Sequence, residues 1–451
     1  MRPTKDPSHA GRAFRLVAAT SLVCIALILS ALPVAATTGP YLVKDIKPGS
    51  GNSSPIELVE LGERVLFTAG DGVRGRELWK SDGTAAGTKR VKDIRPGGGS
   101  SNSRYLTRSG SVVFFSTDDG VKGQELWKTD GTAAGTLLVK NIKRGGRSSH
   151  PLELTDVNGT LYFTAGDGVH GRELWRSDGT PAGTHLVADL NPGVSGSEPD
   201  LLTSFKGRLY FRARGLLWRS DGTAAGTKPV KKANGKQVKN PREITVAGSR
   251  LYFHLKASRL WSTDGTRAGT RKVMDFGGTC SLYQNCGWDE WGMTAVGTRL
   301  YFNQNAHGVG TVPGLWKSDG TAAGTVLVRE VGQIAYDLTD VAGTLYFTES
   351  ADLWKSDGTE AGTHPVDPDG PTMWGQLTAV DGVLYFGAND DELGVDCCTP
   401  WKLWRTDGTA AGTEHVGPPS ADFPHQLTLA GGKLFFAAAD VNGRELWAYV
   451  P

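Results

Sequence analysis

The run Glu77-Leu78-Trp79-Lys80-Ser81-Asp82-Gly83-Thr84-Ala85-Ala86-Gly87-Thr88 returns, with small changes, along most of the chain. Its aspartate recurs at Asp82, Asp130, Asp178, Asp221, Asp264, Asp319, Asp357 and Asp407, at intervals of 48, 48, 43, 43, 55, 38 and 50 residues. The tryptophan three residues earlier recurs nine times, from Trp79 to Trp447, with a mean spacing of 46 residues. Such a period marks a repeat architecture, in which a unit too small to bury its own apolar face stacks against its neighbours.

Each unit reads as four strands. In the third, Pro151 to Val157 runs into Asn158-Gly159, a strong two-residue hairpin signal. Thr160 to Ala165 is aromatic and β-favouring, and Asp167-Gly168 through Gly171 makes the next turn. Arg172 to Arg176 carries the tryptophan, Asp178-Gly179-Thr180 turns again, and His185 to Leu190 is the fourth strand. No window holds a 3.6-residue apolar period over three turns, so the fold is all-β. Four short strands per unit predict a β-propeller blade. Tyr41 to Ile46 is a fourth strand without its first three, and Glu445 to Val450 is a third strand without its fourth. Pairing the two ends completes one blade and closes a ring. Nine units of 46 residues account for the 414 residues from Thr38 to Pro451. Nine blades lies beyond the usual range of about 4–8; a superhelical β-array is the alternative.

The repeated phrase resembles the ELWxxDGT repeat of exported bacterial proteins, a family defined by this repeat and without an assigned activity. The resemblance covers residues 38–451 and fades where Leu217, Arg259, Gly314, Asp352 and Lys402 are unlike the leading Glu-Leu or shifted from it. It implies a β-propeller-like repeat fold and export, and it carries over no catalytic residue. The Asp-Gly-Thr turn is also similar to the Asp-box of sialidase-type propellers, where it is structural. The eight aspartates are accordingly expected to organise turns: Asp accepts backbone hydrogen bonds, Gly takes a positive φ, and Thr hydroxyls satisfy nearby amides. The repeated tryptophans are expected to pack between blades. A quinone-binding propeller family shares Leu-Trp strands, but its docking pattern is not reproduced here, so no cofactor is expected.

Composition agrees with turns joining short strands. Of 451 residues, 61 are Gly and 13 Trp, with 39% hydrophobic and 21% charged. That excludes a disordered chain and, without a three-residue period, collagen. Arg2, Lys5, Arg12 and Arg15 precede an apolar run from Leu16 to Leu32 and the small residues Val34-Ala35-Ala36. This is the order of a secretory signal peptide, so residues 1–36 are expected to be a cleaved signal and 37–451 one propeller domain. Export would place the protein outside the cell, on its surface or in the periplasm. No second apolar stretch follows, so no transmembrane segment is expected after signal removal. The net charge of +2 becomes −1 without the signal, which gives no general field for nucleic acid. Cys280, Cys286, Cys397 and Cys398 remain, an even number that makes a disulfide bond the expectation in an oxidising compartment.

The remaining information lies in residues the repeat does not predict. The second-to-third-strand loops and the inter-blade connections open on one face of a propeller, and the Asp-Gly-Thr turns open on the other. Gly277–Glu290, Gln304–Gly314 and Gly387–Trp401 are enlarged connections of the first face. They bring Tyr283, Trp288 and Trp401, and beside such connections stand Trp291 and Trp374. These five aromatics are the candidate ligand-binding residues, since exposed rings suit sugar stacking or a protein partner. The basic stretch Lys228, Lys231, Lys232, Lys236, Lys239 and Arg242 contains no acid and is assigned to the same face. It is either a solvated surface or a contact for anionic polysaccharide.

No zinc-protease, phosphate-loop or nucleophile-elbow motif is present, and no metal site is expected. Asp289, Glu290 and the acids from Asp390 to Asp396 are the only candidate glycosidase pair. The reading is therefore an exported, non-enzymatic, monomeric propeller that binds an extracellular protein or glycan through its irregular face. The alternative is a polysaccharide hydrolase or lyase on the same scaffold.

Overall fold

A computed structural model describes residues 39–256, 258–277, 292–304, 314–331, 335–373, 376–389, 400–417 and 421–451. Every regular element among them is a β-strand. Nine antiparallel sheets form, seven of four strands in sequence order, one of four strands that joins the two ends of the described chain, and one of five. Blade 1 consists of Ile56–Leu61, Arg64–Gly70, Arg76–Ser81 and Lys89–Lys92, and blade 3 of Leu152–Val157, Thr160–Gly166, Arg172–Ser177 and His185–Ala188. In blade 8 the inner strand is split, and Thr372–Met373 and Thr378–Val380 both pair with Val383–Asn389. Asn158 and Gly159 take φ values of 52° and 81°, the geometry of the primed hairpin turn that this dipeptide favours.

The ring is closed. The first strands of successive blades are neighbours from Ile56–Leu61 through Arg104–Ser109 and onward to Thr378–Val380 and Asp422–Ala430, which again lies beside Ile56–Leu61. An open superhelical array lacks that last neighbour. The seam is within blade 9: Tyr41–Lys44 pairs with Gly443–Tyr449, Leu42 opposite Trp447. The sheet order there is fourth, third, second, first strand, as in any other blade.

Packing explains the continuous apolar second strands. Successive side chains point to opposite faces of a strand, and here each face meets a neighbouring blade. Leu161, Phe163 and Ala165 pack with Phe114, Leu126 and Ile142 of blade 2, whereas Tyr162 packs with Leu209 and Phe211 of blade 4. Nine such clusters occur, one per inter-blade interface, each holding a repeat tryptophan from Trp79 to Trp447. The core is thus a ring of nine small cores. Burying each phenylalanine of these strands contributes roughly 1.5–3 kcal/mol.

The Asp-Gly-Thr turns form one hydrogen-bond pattern eight times over. In blade 1, Asp82 Oδ1 accepts from Thr84 N at 2.9 Å and Thr84 Oγ1 at 2.7 Å, and Gly87 N donates to Thr84 Oγ1 at 2.9 Å. Ser81 and Thr88 hydroxyls meet at 2.7 Å beneath the turn. A Cβ on Gly87 would lie 2.0 Å from the Asp82 carboxylate, so only glycine fits there. These hydrogen bonds, the Thr84 hydroxyl first, hold the Asp82 carboxyl below its ordinary range. Six of these turns also receive a side chain of the preceding blade at the glycine carbonyl, as where Lys80 Nζ donates to Gly131 O at 2.7 Å and Lys355 Nζ to Gly408 O at 2.7 Å.

The expectation of a disulfide bond is corrected. The described propeller contains neither a disulfide nor a cysteine; Cys280, Cys286, Cys397 and Cys398 lie outside the described residues. The physical reason none is needed is that the seam, where a covalent staple would do most, is joined by main-chain pairing and a buried cluster around Val43, Ile46 and Trp79.

Candidate functional site

Antiparallel order puts the inter-blade connections and the second-to-third-strand loops at one end of the ring, and the Asp-Gly-Thr turns at the other. On the first face, blades 9, 1, 2 and 3 share a construction. The glutamate of each Glu-Leu-Trp strand is buried and clamps the connection that leaves for the next blade. Glu77 accepts from Ile94 N at 3.0 Å and Ser101 N at 3.1 Å. Glu125 accepts from Ile142 N at 2.9 Å, Ser149 N at 3.1 Å and Ser149 Oγ at 2.6 Å. Glu173 holds Asn191 N and Ser197 Oγ, and Glu445 holds Ile46 N and Ser53 N. Burial pushes all four carboxyls up, that of Glu77 to about 7. Raised carboxyls often mark catalytic acids. These are 0–1% exposed and spend their oxygens on the scaffold, so their chemistry is loop positioning.

The clamped sector presents an unusual surface. In Asp71-Gly72-Val73-Arg74-Gly75 the Asp71 carboxylate accepts from Val73 N and Arg74 N, fixing the loop so that Val73 projects into solvent. Asp119 does the same for Val121 and Lys122, and Asp167 for Val169 and His170. Together with Val194 and Val441, these valines are 63–90% exposed. Beside them, Lys143, His150, Arg172 and Val194 line a cleft of about 240 Å³. Burial and the charges of Arg172 and Lys143 hold the His150 imidazole below the ordinary histidine range.

Of the aromatics expected to form the site, Tyr283, Trp288, Trp291 and Trp374 lie outside the described residues, as do Asp289, Glu290 and Asp390 to Asp396. Trp401 is half-buried and meets the Phe423 ring edge-on, centroids 5.7 Å apart, while Phe423 N donates to Trp401 O at 2.9 Å. This joins blade 8 to the start of blade 9 on the irregular face. The hairpin of the basic stretch sits elsewhere than its sequence position implied. Ala233 N donates to Thr270 O at 3.1 Å, which docks the hairpin on the Asp264 turn, at the outer rim toward the opposite face. The valine loops were missed from sequence, although Asp-Gly-Val-x-Gly occurs three times at one position of the repeat.

Among the described residues no cluster of His, Cys, Asp and Glu could hold a metal ion, and no helix is long and apolar enough to cross a membrane. No family model and no curated protein sequence matches the chain. Among solved structures, it is similar to a computationally designed protein, Ika8, at 15% identity and a TM-score of 0.46 over 76% of this chain and 95% of that one. It is similar to PorZ, a surface component of the type-IX secretion system of Porphyromonas gingivalis, at 11% identity and 0.33 over 87% and 72%. It is similar to the tricorn protease at 11% identity and 0.30 over 88% of this chain and 39% of that one. Likenesses this distant carry no functional argument; the closed nine-bladed ring rests on the pairing and packing of its own strands.

Proposed function

We propose that this chain is an exported, non-enzymatic member of the ELWxxDGT repeat proteins that binds a protein partner, or a glycan, through the face of its inter-blade connections. The observation that carries this reading is the row of solvent-exposed valines on carboxylate-fixed loops of four consecutive blades: Val73, Val121 and Val169, and Val441, whose loop is fixed by Asp440 accepting from Asn442 N at 2.8 Å. Exposed apolar groups set among cations are the make-up of an interaction surface, and fixed loops lose little entropy on binding. Trp401 and Phe423 add aromatic surface to the same face. On the turn face the Asp-Gly-Thr turns keep one hydrogen-bond pattern from blade to blade.

The test compares immobilised wild-type propeller with Val73→Ser/Val121→Ser/Val169→Ser and with Trp401→Ala, using extracellular protein from the producing cells and a glycan array. Retention is expected to fall at least tenfold in one or both variants, as for interface anchors worth about 2 kcal/mol, and to survive Ala410→Ser on the turn face. Retention unchanged by both variants, or turnover of a glycan, overturns the proposal. Export is checked separately: the chain recovered from outside the cytoplasm should begin near Thr37, and a chain retaining Met1 inside the cell would refute it.

A further inference from the structure

The outer rim between blades 4 and 5 breaks the repeat twice at one place. The fourth strand of blade 4 shrinks to Lys228–Pro229 and continues into a hairpin. Val230 and Val238 hydrogen-bond to each other and to Leu217, so residues 231–237 stand out from the sheet, closed by Lys232 N to Lys236 O at 2.8 Å. The second break is in the Asp264 turn. Its variable position is Ala in five of the eight repeats, Pro181 and Glu360 in two, and Arg267 here. The hairpin tip reaches this residue: a Cβ on Gly235 would lie 2.7 Å from the Arg267 guanidinium.

Between these two departures lies a cleft of about 480 Å³ lined by Arg219, Lys228, Lys231, Gly265, Thr266 and Arg267. Arg219 donates to Gly265 O at 2.8 Å. Among the described residues, Lys228, Lys231, Lys236 and Arg267 form no ion pair, and their charges face solvent. The nearby acids are already used. Asp264 Oδ1 accepts from Thr266 N and Thr266 Oγ1, and Asp275 pairs with Arg259 and Lys272. The crowding is felt at Lys232, whose ammonium is held below the ordinary lysine range by burial and then by Arg259, Lys236 and Lys239.

We propose that this rim cleft is a binding site for an acidic glycan, a sugar segment bearing sulfate or carboxylate groups, separate from the valine-bearing face. Several uncompensated cations around an open cleft suit a ligand with repeated charges. Thr266 Oγ1 donates to Asp264 Oδ1 and accepts from Gly269 N, so recognition here rests on the cations and not on the turn hydroxyl. Nucleic acid fits less well: Lys232 Nζ lies 4.6 Å over the Trp261 ring, so that ring face is already covered and offers no platform for a base.

Binding is measured by calorimetry with a sulfated heparin-type hexasaccharide, a uronate oligosaccharide, neutral dextran and a single-stranded oligodeoxynucleotide. The wild type should bind the sulfated or the uronate oligosaccharide, ignore dextran, and weaken as salt rises. Lys231→Ser/Lys236→Ser/Arg267→Ser should weaken binding at least tenfold with an unchanged melting temperature, since these side chains are exposed. Arg64→Ser/Lys89→Ser/Arg299→Ser removes the same charge from exposed positions outside both proposed sites and should leave affinity within twofold. The proposal is overturned if neither acidic oligosaccharide binds, if both triple variants behave alike, or if the oligonucleotide binds as tightly as the sugar.

Discussion

A chain beginning at Gly49 is expected to lose at least about 5 kcal/mol of stability and to associate with other copies of itself. The segment removed, Tyr41 to Pro48, supplies the fourth strand of blade 9. Val43 and Ile46 are 3% and 5% exposed in the seam cluster with Phe67, Trp79 and Leu446. Burial of each contributes roughly 1.5–3 kcal/mol. The pairing of Tyr41 with Ala448 and Leu42 with Trp447 is lost with them. So are Tyr41 Oη to Gly83 O at 3.2 Å and Lys44 Nζ to Thr88 O at 3.0 Å, which tie the seam blade to blade 1. Each lost hydrogen bond costs about 1 kcal/mol. Gly443–Tyr449 becomes an open edge, and an uncovered apolar edge recruits another strand. Urea denaturation and light scattering, compared with a chain beginning at Gly39, test this. A loss under 1 kcal/mol with no change in particle size would mean that the terminal strand does not close the ring.

That closure is legible in the sequence because an incomplete unit at each end has a single economical resolution. The strands of the third unit are legible too: those expected from sequence agree with the structure to within two residues at every boundary. Both successes rest on local signals, Asn-Gly and Asp-Gly turns and an apolar run buried on two sides. What stayed hidden is non-local. The glutamate of Glu-Leu-Trp looks like one more letter of a motif until its carboxylate meets amides 17 and 24 residues away. Ser54, Asn102, His150 and Glu198 take φ values near 50° two residues before their inner strands, and only Asn102 and His150 are of types that favour such a φ. The basic hairpin was placed by counting strands, yet its position depends on Thr270 and Arg267 of the next blade. Of the aromatic site only Trp401 falls among the described residues, and Phe423, its partner, has no mark in the sequence beyond preceding Pro424.

Replacing Glu77 by alanine is expected to cost about 3 kcal/mol, and replacing it by glutamine to cost less as the pH rises. The alanine change strands Ile94 N without an acceptor and takes from Ser101 N one of its two, the other being Arg76 O at 3.0 Å; an orphaned buried donor costs roughly 1–3 kcal/mol, and the emptied side-chain space adds to it. The pH dependence follows from the carboxyl's rise from 4.5 to about 7, caused first by burial and opposed by these hydrogen bonds. The folded state keeps a proton that the unfolded chain releases. Between those values folding takes up protons, so this contribution to stability is full below the unfolded glutamate range and is lost as pH passes about 7. It amounts to no more than about 3 kcal/mol. His254 acts oppositely: burial pushes its imidazole down to about 3, so its contribution is lost as pH falls below the ordinary histidine range. The informative quantity is therefore the difference between wild type and Glu77→Gln, in which His254 cancels. Glutamine keeps one acceptor oxygen and never ionises. Its penalty in urea denaturation should be largest at pH 5 and should shrink, or change sign, by pH 8. A penalty that grows from pH 5 to 8 would show that the clamp works as a carboxylate stabilised by its amides, and the burial argument for all four glutamates would fall with it.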